Sequence, residues 1–263
     1  MLQGIYQLSD LNIFIGLAFI FIIMSVPVIF IVRRYVPIEL RYRDNPVIGN
    51  ISALISIIYG VLVGLMALYL INNISYTADA VQREANAVAD IYRDTRLLKD
   101  PQRSQIQTTL KNYLERVINV EWTTMKNGLA LDAVGRTTIE SITDELVTYP
   151  AHSTAESLLL HDMLDGVKTL YDAREQRIHM SHAQLNSQIW LVILIGTFLI
   201  IIINYIYGIN FYLHILTVSA VALMAASVIF LLLTLDRPFQ GEFGIQPSAF
   251  QSVLSFIEIY EKN

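Results

Sequence analysis

The chain has 263 residues, of which 54% are hydrophobic and only 16% charged, with no cysteine and a formal net charge of −5. A soluble domain carries about 25% charged residues, so this composition points to a membrane protein. The missing cysteine excludes disulfides, thiolate metal sites and cysteine nucleophiles, and the acidic balance argues against a nucleic-acid partner.

Asp, Glu, Lys and Arg are absent from Leu11 to Val32, from Asn45 to Ala78 and from Ile178 to Leu235. Roughly 20 apolar residues cross a hydrocarbon core of about 30 Å. The three stretches therefore predict four spans, at 11–32, about 51–71, about 189–207 and 211–235, with a tight turn at Gly208-Ile209-Asn210 between the last two. Pro27 predicts a kink in the first span. The first run is not a cleavable signal, since no basic residue precedes it and no small-residue site follows. Arg33, Arg34, Arg41 and Arg43 place the 33–50 loop in the cytoplasm by the positive-inside rule. The termini and residues 72–188 then lie outside.

Residues 72–188 hold twelve Lys/Arg against sixteen Asp/Glu and read as helical throughout. Ile74, Ala78, Val81, Ala85, Val88, Tyr92, Thr95 and Leu98 draw one stripe by fours and threes. No breaker separates them from the second span, predicting one helix of about 48 residues, roughly 70 Å long. Asp100-Pro101 opens a second helix, which Asn127-Gly128 ends. Thr137 with Glu140, and Ser153 with Glu156, read as capping boxes for a third and a fourth. The fourth carries Leu160, Leu164, Val167, Tyr171, Arg174, Ile178 and Leu185 in one stripe and is expected to run unbroken into the third span. Short connections predict an antiparallel four-helix bundle, continuous with the second and third membrane helices. Matching levels along the helix axis pair Glu84 with Arg177 or Arg174, and bring Glu121 and Trp122 down to the membrane surface. Residues 236–263 form a turn at Gln240-Gly241 and a last helix from Pro247. Its stripe of Phe250, Val253, Leu254 and Ile257 is expected to dock beside Glu121 and Trp122.

Several stretches together resemble the bestrophin-like domain family of bacterial membrane proteins. They are Arg83-Glu84-Ala85-Asn86, Tyr113 with Glu121-Trp122, Gly128, and Ala173-Arg174 with Arg177. Leu235-Asp236-Arg237-Pro238-Phe239-Gln240-Gly241 and Gln246-Pro247-Ser248-Ala249-Phe250 complete the set. Where relatives place prolines before the third span, this chain has Asn186-Ser187. The resemblance implies an ion-channel-like protein and supplies no catalytic residues.

Ser52, Ser56, Gly60 and Gly64 repeat a small residue every fourth position on the second span. Such a face packs helices closely or lines a pore at the axis of a homo-oligomer, with the amides of Asn50, Asn72 and Asn73 at its mouths. No span carries Asp or Glu, so any ion-attracting ring would come from Asp44, Asp79, Glu121 or Asp236 at the boundaries. Alternatively these acids are plain solvated or structurally paired groups, Asp236 with Arg237 among them. Oxygen ligands suit hard inorganic cations such as Na⁺, K⁺ or Ca²⁺. Glu175, His179 and His182 share a helical face but need a fourth ligand to hold zinc; a pH-sensitive contact there is the stronger alternative. His214 and Asn204 read as interhelical polar contacts. No Ser–His–Asp, phosphate-loop or dinucleotide pattern occurs, so neither an enzyme nor a cofactor is expected. The sequence thus supports a cation-conducting oligomeric channel of the bacterial inner membrane; the alternative is a non-conducting sensor or scaffold whose bundle binds a ligand or partner.

Overall fold

The computed structural model describes residues 9–242 and 244–262, and among these every regular element is helical. In chain order they are α1 (Asp10–Tyr35), α2 (Ile38–Arg43), α3 (Asn45–Asp94), α4 (Gln102–Arg116), α5 (Trp122–Lys126), α6 (Val134–Val147), α7 (Thr154–Ser181), α8 (Ser187–Tyr205), α9 (Phe211–Leu235) and α10 (Ser248–Lys262). Four of them, α1, α3, α8 and α9, are long and apolar enough to cross a membrane. The chain divides into two compact units, one of residues up to Asn72 with Gln184–Asp236, the other of Asn73–Ala183 with Arg237 onward.

The first unit holds α1, α2, α8, α9 and the first half of α3. Its outward faces are aliphatic and aromatic: Phe19, Leu54, Ile57 and Phe198 are each more than half exposed, as side chains in hydrocarbon should be. Phe14 meets Phe230 and Phe30 meets Phe211 edge to face between α1 and α9. Gly196 of α8 lies so close to the Tyr59 ring that a Cβ would overlap it, and the Tyr59 hydroxyl meets the Thr197 hydroxyl at 2.7 Å one residue away. His214 of α9 reaches the Asn204 carbonyl of α8 at 3.1 Å, an interhelical contact that keeps its polar ring from facing lipid unpaired. Pro27 sits inside α1, which continues through it to Tyr35.

The second unit holds the rest of α3 together with α4 to α7 and α10. Val81, Ala85, Val88, Tyr92 and Leu98 bury against Ile106, Leu110, Leu114, Ile139, Ile142, Met163, Val167 and Leu170, and Phe250 and Ile257 of α10 close the same core. Between α4 and α5 the backbone makes a π-helical turn over Val117–Glu121. Ser153 accepts the Glu156 amide at 3.1 Å, while the Glu156 carboxylate accepts the His152 amide at 2.6 Å, a reciprocal cap at the start of α7.

Two expectations are corrected. The fourth bundle helix does not run into the third span: α7 ends at Ser181, and the Asn186 side chain accepts the Gln188 amide to start α8 afresh. An asparagine N-cap is an initiation signal, and it interrupts the chain where no proline or glycine does. Thr137 and Glu140 are not a capping box either. The helix begins earlier, at Val134, whose amide bonds to Asp132 at 3.1 Å. Thr137 donates to the Val134 carbonyl, and Glu140 pairs with Arg136.

Candidate functional site

In the core of the second unit four charged side chains and a tyrosine meet without solvent. Arg177 of α7 donates to Glu84 of α3 twice, from Nε at 2.6 Å and Nη2 at 2.9 Å. The same Nη2 reaches Glu121 Oε2 at 2.8 Å, and Arg174 Nη1 reaches that oxygen at 2.6 Å. The Tyr113 hydroxyl donates to Glu84 Oε1 at 2.5 Å. Glu84, Arg177, Glu121, Arg174 and Tyr113 are all at most 1% exposed. Two carboxylates balance two guanidiniums, the condition under which such burial is tolerable.

Local structure explains how each group gets there. Arg174 and Arg177 are one turn apart on the inward face of α7. Glu121 and Trp122 are adjacent, yet both are buried. The π-helical turn ending at Glu121 alters the helical phase there, and such turns recur at sites where a side chain must be re-aimed. Gly135 lies against the pair, and a Cβ there would strike the Glu121 carboxylate and the Arg174 guanidinium. Around the charges, Arg177 lies over the Trp122 ring at 5.9 Å and the Phe250 ring at 5.8 Å.

The electrostatics follow from this enclosure. Burial alone would push Glu121 up, but hydrogen bonds and charge from Arg174 and Arg177 hold its carboxyl below the usual range. Burial works against the Arg177 guanidinium, yet Glu84 and Glu121 hold it above its ordinary value. Burial, then the Glu84 charge, push the Tyr113 hydroxyl well above its ordinary range, so it stays a proton donor to Glu84.

Of the two arginines expected opposite Glu84, Arg177 is the one that reaches it; Arg174 goes to Glu121. The C-terminal motif gathers on the neighbouring indole: Trp122 packs edge to face with Phe239 at 5.3 Å and Phe250 at 5.8 Å and donates to the Ile245 carbonyl at 3.1 Å. Arg237 donates to Gln240 at 3.5 Å within the turn.

Two of the acidic residues read as candidates for an ion-attracting mouth are buried within the chain. Glu121 is enclosed by arginines. Asp236 is 6% exposed and accepts the Leu185 amide at 2.6 Å and the Trp190 indole at 3.3 Å, closing the segment that leads into α8. Asp44, paired with Arg43 at 3.1 Å, and Asp79 are exposed. Glu175, His179 and His182 are also exposed, and among the described residues no group of three His, Asp or Glu side chains is placed to hold a metal.

On α3, Ser56, Gly60 and Gly64 are exposed and Ser52 is partly so. A Cβ on Gly60 or Gly64 would touch nothing within 4 Å, so among the described residues no helix of the same chain covers these two positions. Asn50 and Asn72 are exposed and Asn73 is half-buried. Sequence reasoning missed Gly135, Met125, whose sulfur accepts from Arg177 Nη1 at 3.3 Å, and the π-helical turn, none of which has a signature apart from tertiary packing.

Four apolar helices, with a second helical unit built on a buried charge cluster, define a multi-span all-α membrane protein. The chain belongs to the bestrophin-like domain family, whose model matches residues 19–250. Among solved structures it is similar to a point mutant of a bacterial bestrophin homologue from Klebsiella pneumoniae, at 11% identity and a TM-score of 0.73, covering 95% of this chain and 99% of that one. The crystal structure of a membrane protein carrying a proline-to-alanine substitution is similar at 11% identity and a TM-score of 0.69, covering 93% of this chain and 97% of that one. At such identity the likeness concerns the fold. No curated protein sequence matches this one.

Proposed function

We propose that the chain is one subunit of an oligomeric ion channel of the bacterial inner membrane, with the Ser52–Gly64 face of α3 lining a pore on the assembly axis and inorganic cations as its cargo. The observation that carries this is the uncovered small-residue face on a helix with no charge from Asn45 to Ala78. A four-span subunit is too thin to enclose an aqueous path alone, and copies about an axis supply the wall. Family membership agrees with a channel. Cations are favoured because Asp44 and Asp79, with the Asn50 and Asn72 amides, flank the uncharged stretch.

The test is flux across liposomes holding only purified protein. Wild type should pass Na⁺ or K⁺ ahead of Cl⁻, and Gly60→Trp should lower that flux by roughly tenfold or more through steric closure. Absence of flux under varied pH, calcium and voltage would sink the channel and favour a sensor.

The arginines of residues 33–43 set the orientation by the positive-inside rule, with the second unit outside the cytoplasm. Lys126 is exposed, and the chain has no native thiol. Lys126→Cys should therefore react with an impermeant maleimide in intact spheroplasts; protection until lysis reverses the assignment.

A further inference from the structure

The end of α1 carries a cluster of cations that the fold does not neutralise. Residues 11–32 are free of charge and Arg33-Arg34 follow at once, at the depth where hydrocarbon gives way to headgroups. Arg33 Nη2 donates to the Ile209 carbonyl at 2.5 Å and its guanidinium lies over the Phe211 ring at 5.0 Å. Arg41 Nη1 donates to the Tyr207 carbonyl at 3.2 Å. Two guanidiniums thus converge on one turn, that between α8 and α9, where Asn45 clamps the Gly208 amide and carbonyl at 2.9 and 3.0 Å.

Each of the two has a buried Nε without a partner, and Arg41 is 3% exposed. Among the described residues, the ion pair that this segment makes joins Arg43 to Asp44; none involves Arg33, Arg34 or Arg41. Burial, then the charge of Arg33, push the Arg41 guanidinium below its ordinary range. In the second unit, by contrast, both buried arginines have carboxylates within 3 Å. Like charges held together at a low-dielectric boundary attract an anion strongly. Arg33 is partly exposed and Arg34 is exposed, which leaves donors within reach of one.

We propose that Arg33 and Arg34, backed by the charge of Arg41, form a binding site for a phosphate group at the membrane boundary, from an anionic phospholipid headgroup or from free phosphate. A guanidinium matches phosphate oxygens bidentately, and cations immediately beside a span draw anionic lipid. The site is separate from the α3 face and stands whether or not the protein conducts.

The experiment uses the full chain in phosphatidylcholine nanodiscs, titrated with phosphatidylglycerol and read by native mass spectrometry of retained lipid. Wild type should retain phosphatidylglycerol over phosphatidylcholine by roughly tenfold. The double substitution Arg33→Gln with Arg34→Gln should abolish that preference, whereas Arg93→Gln, which removes an exposed arginine of the other unit, should preserve it. The Arg34 side chain takes part in no hydrogen bond or ion pair among the described residues, so Arg34→Gln alone should fold and lower the preference several-fold. Displacement of the lipid by millimolar inorganic phosphate would show that the free ion binds too; resistance to it would assign the site to lipid. Equal retention of both lipids by wild type, or an unchanged preference in both Gln variants, overturns the proposal.

Discussion

Replacing Arg177 with methionine is expected to destabilise the protein by about 3–5 kcal/mol, the scale for removing one partner of a buried pair. Methionine fills much of the same volume, so the loss is mainly electrostatic. Glu84 then keeps Tyr113 as its partner, and Glu121 keeps Arg174, but a net negative charge is left in a site closed to water. Arg83→Met is the control. Arg83 is exposed and bonds to Gln176, and such surface changes stay within about 0.5 kcal/mol. The double substitution Glu84→Gln with Arg177→Met should be less destabilising than the two single effects summed, because each single change strands the other's charge. Unfolding of the detergent-solubilised variants, followed by tryptophan fluorescence, measures all four. If Arg177→Met and Arg83→Met unfold alike, the cluster is not the electrostatic core described.

How far the sequence discloses this arrangement varies with the range of the forces involved. The length of α3 is legible because helix propagation is local, and nothing between Asn45 and Asp94 breaks it once started. The Glu84–Arg177 contact is nearly legible, since a fixed rise per residue sets levels on two helices without knowing their packing. The break before α8 is written in Asn186, but its capping role competes with a hydrophobic stripe that reaches Leu185, and the stripe misleads. Glu121 misleads for another reason. A carboxylate beside a tryptophan near a membrane end reads as a surface group, and only the π-helical turn and two arginines more than fifty residues away turn it inward. The turn at Gly208 is plain from its composition; the Arg33, Arg41 and Asn45 side chains that hold it come from at least 163 residues earlier. Contacts of that separation leave no trace in local periodicity.

Trp122 is expected to be the largest single apolar contribution to docking of the C-terminal segment. Its indole is 5% exposed, and three positions of that segment, Phe239, Ile245 and Phe250, converge on it. Trp122→Ala removes both ring contacts and the hydrogen bond and leaves a cavity beside a buried ion cluster, for a loss of about 3–5 kcal/mol. Trp122→Phe keeps an aromatic ring in the same place and loses chiefly the indole N–H, leaving the Ile245 carbonyl unpaired, for about 1–3 kcal/mol. The gap between the two variants separates ring packing from hydrogen bonding. Limited digestion with a glutamate-specific protease adds a local readout, because Glu242 is exposed and lies in the segment that the indole anchors. Cleavage there should be faster in Trp122→Ala than in Trp122→Phe, and slowest in wild type. Were cleavage after Glu242 equal in all three proteins, the segment would be held by α10 and its contacts with α4 rather than by the indole, and Trp122 would be an ordinary core residue.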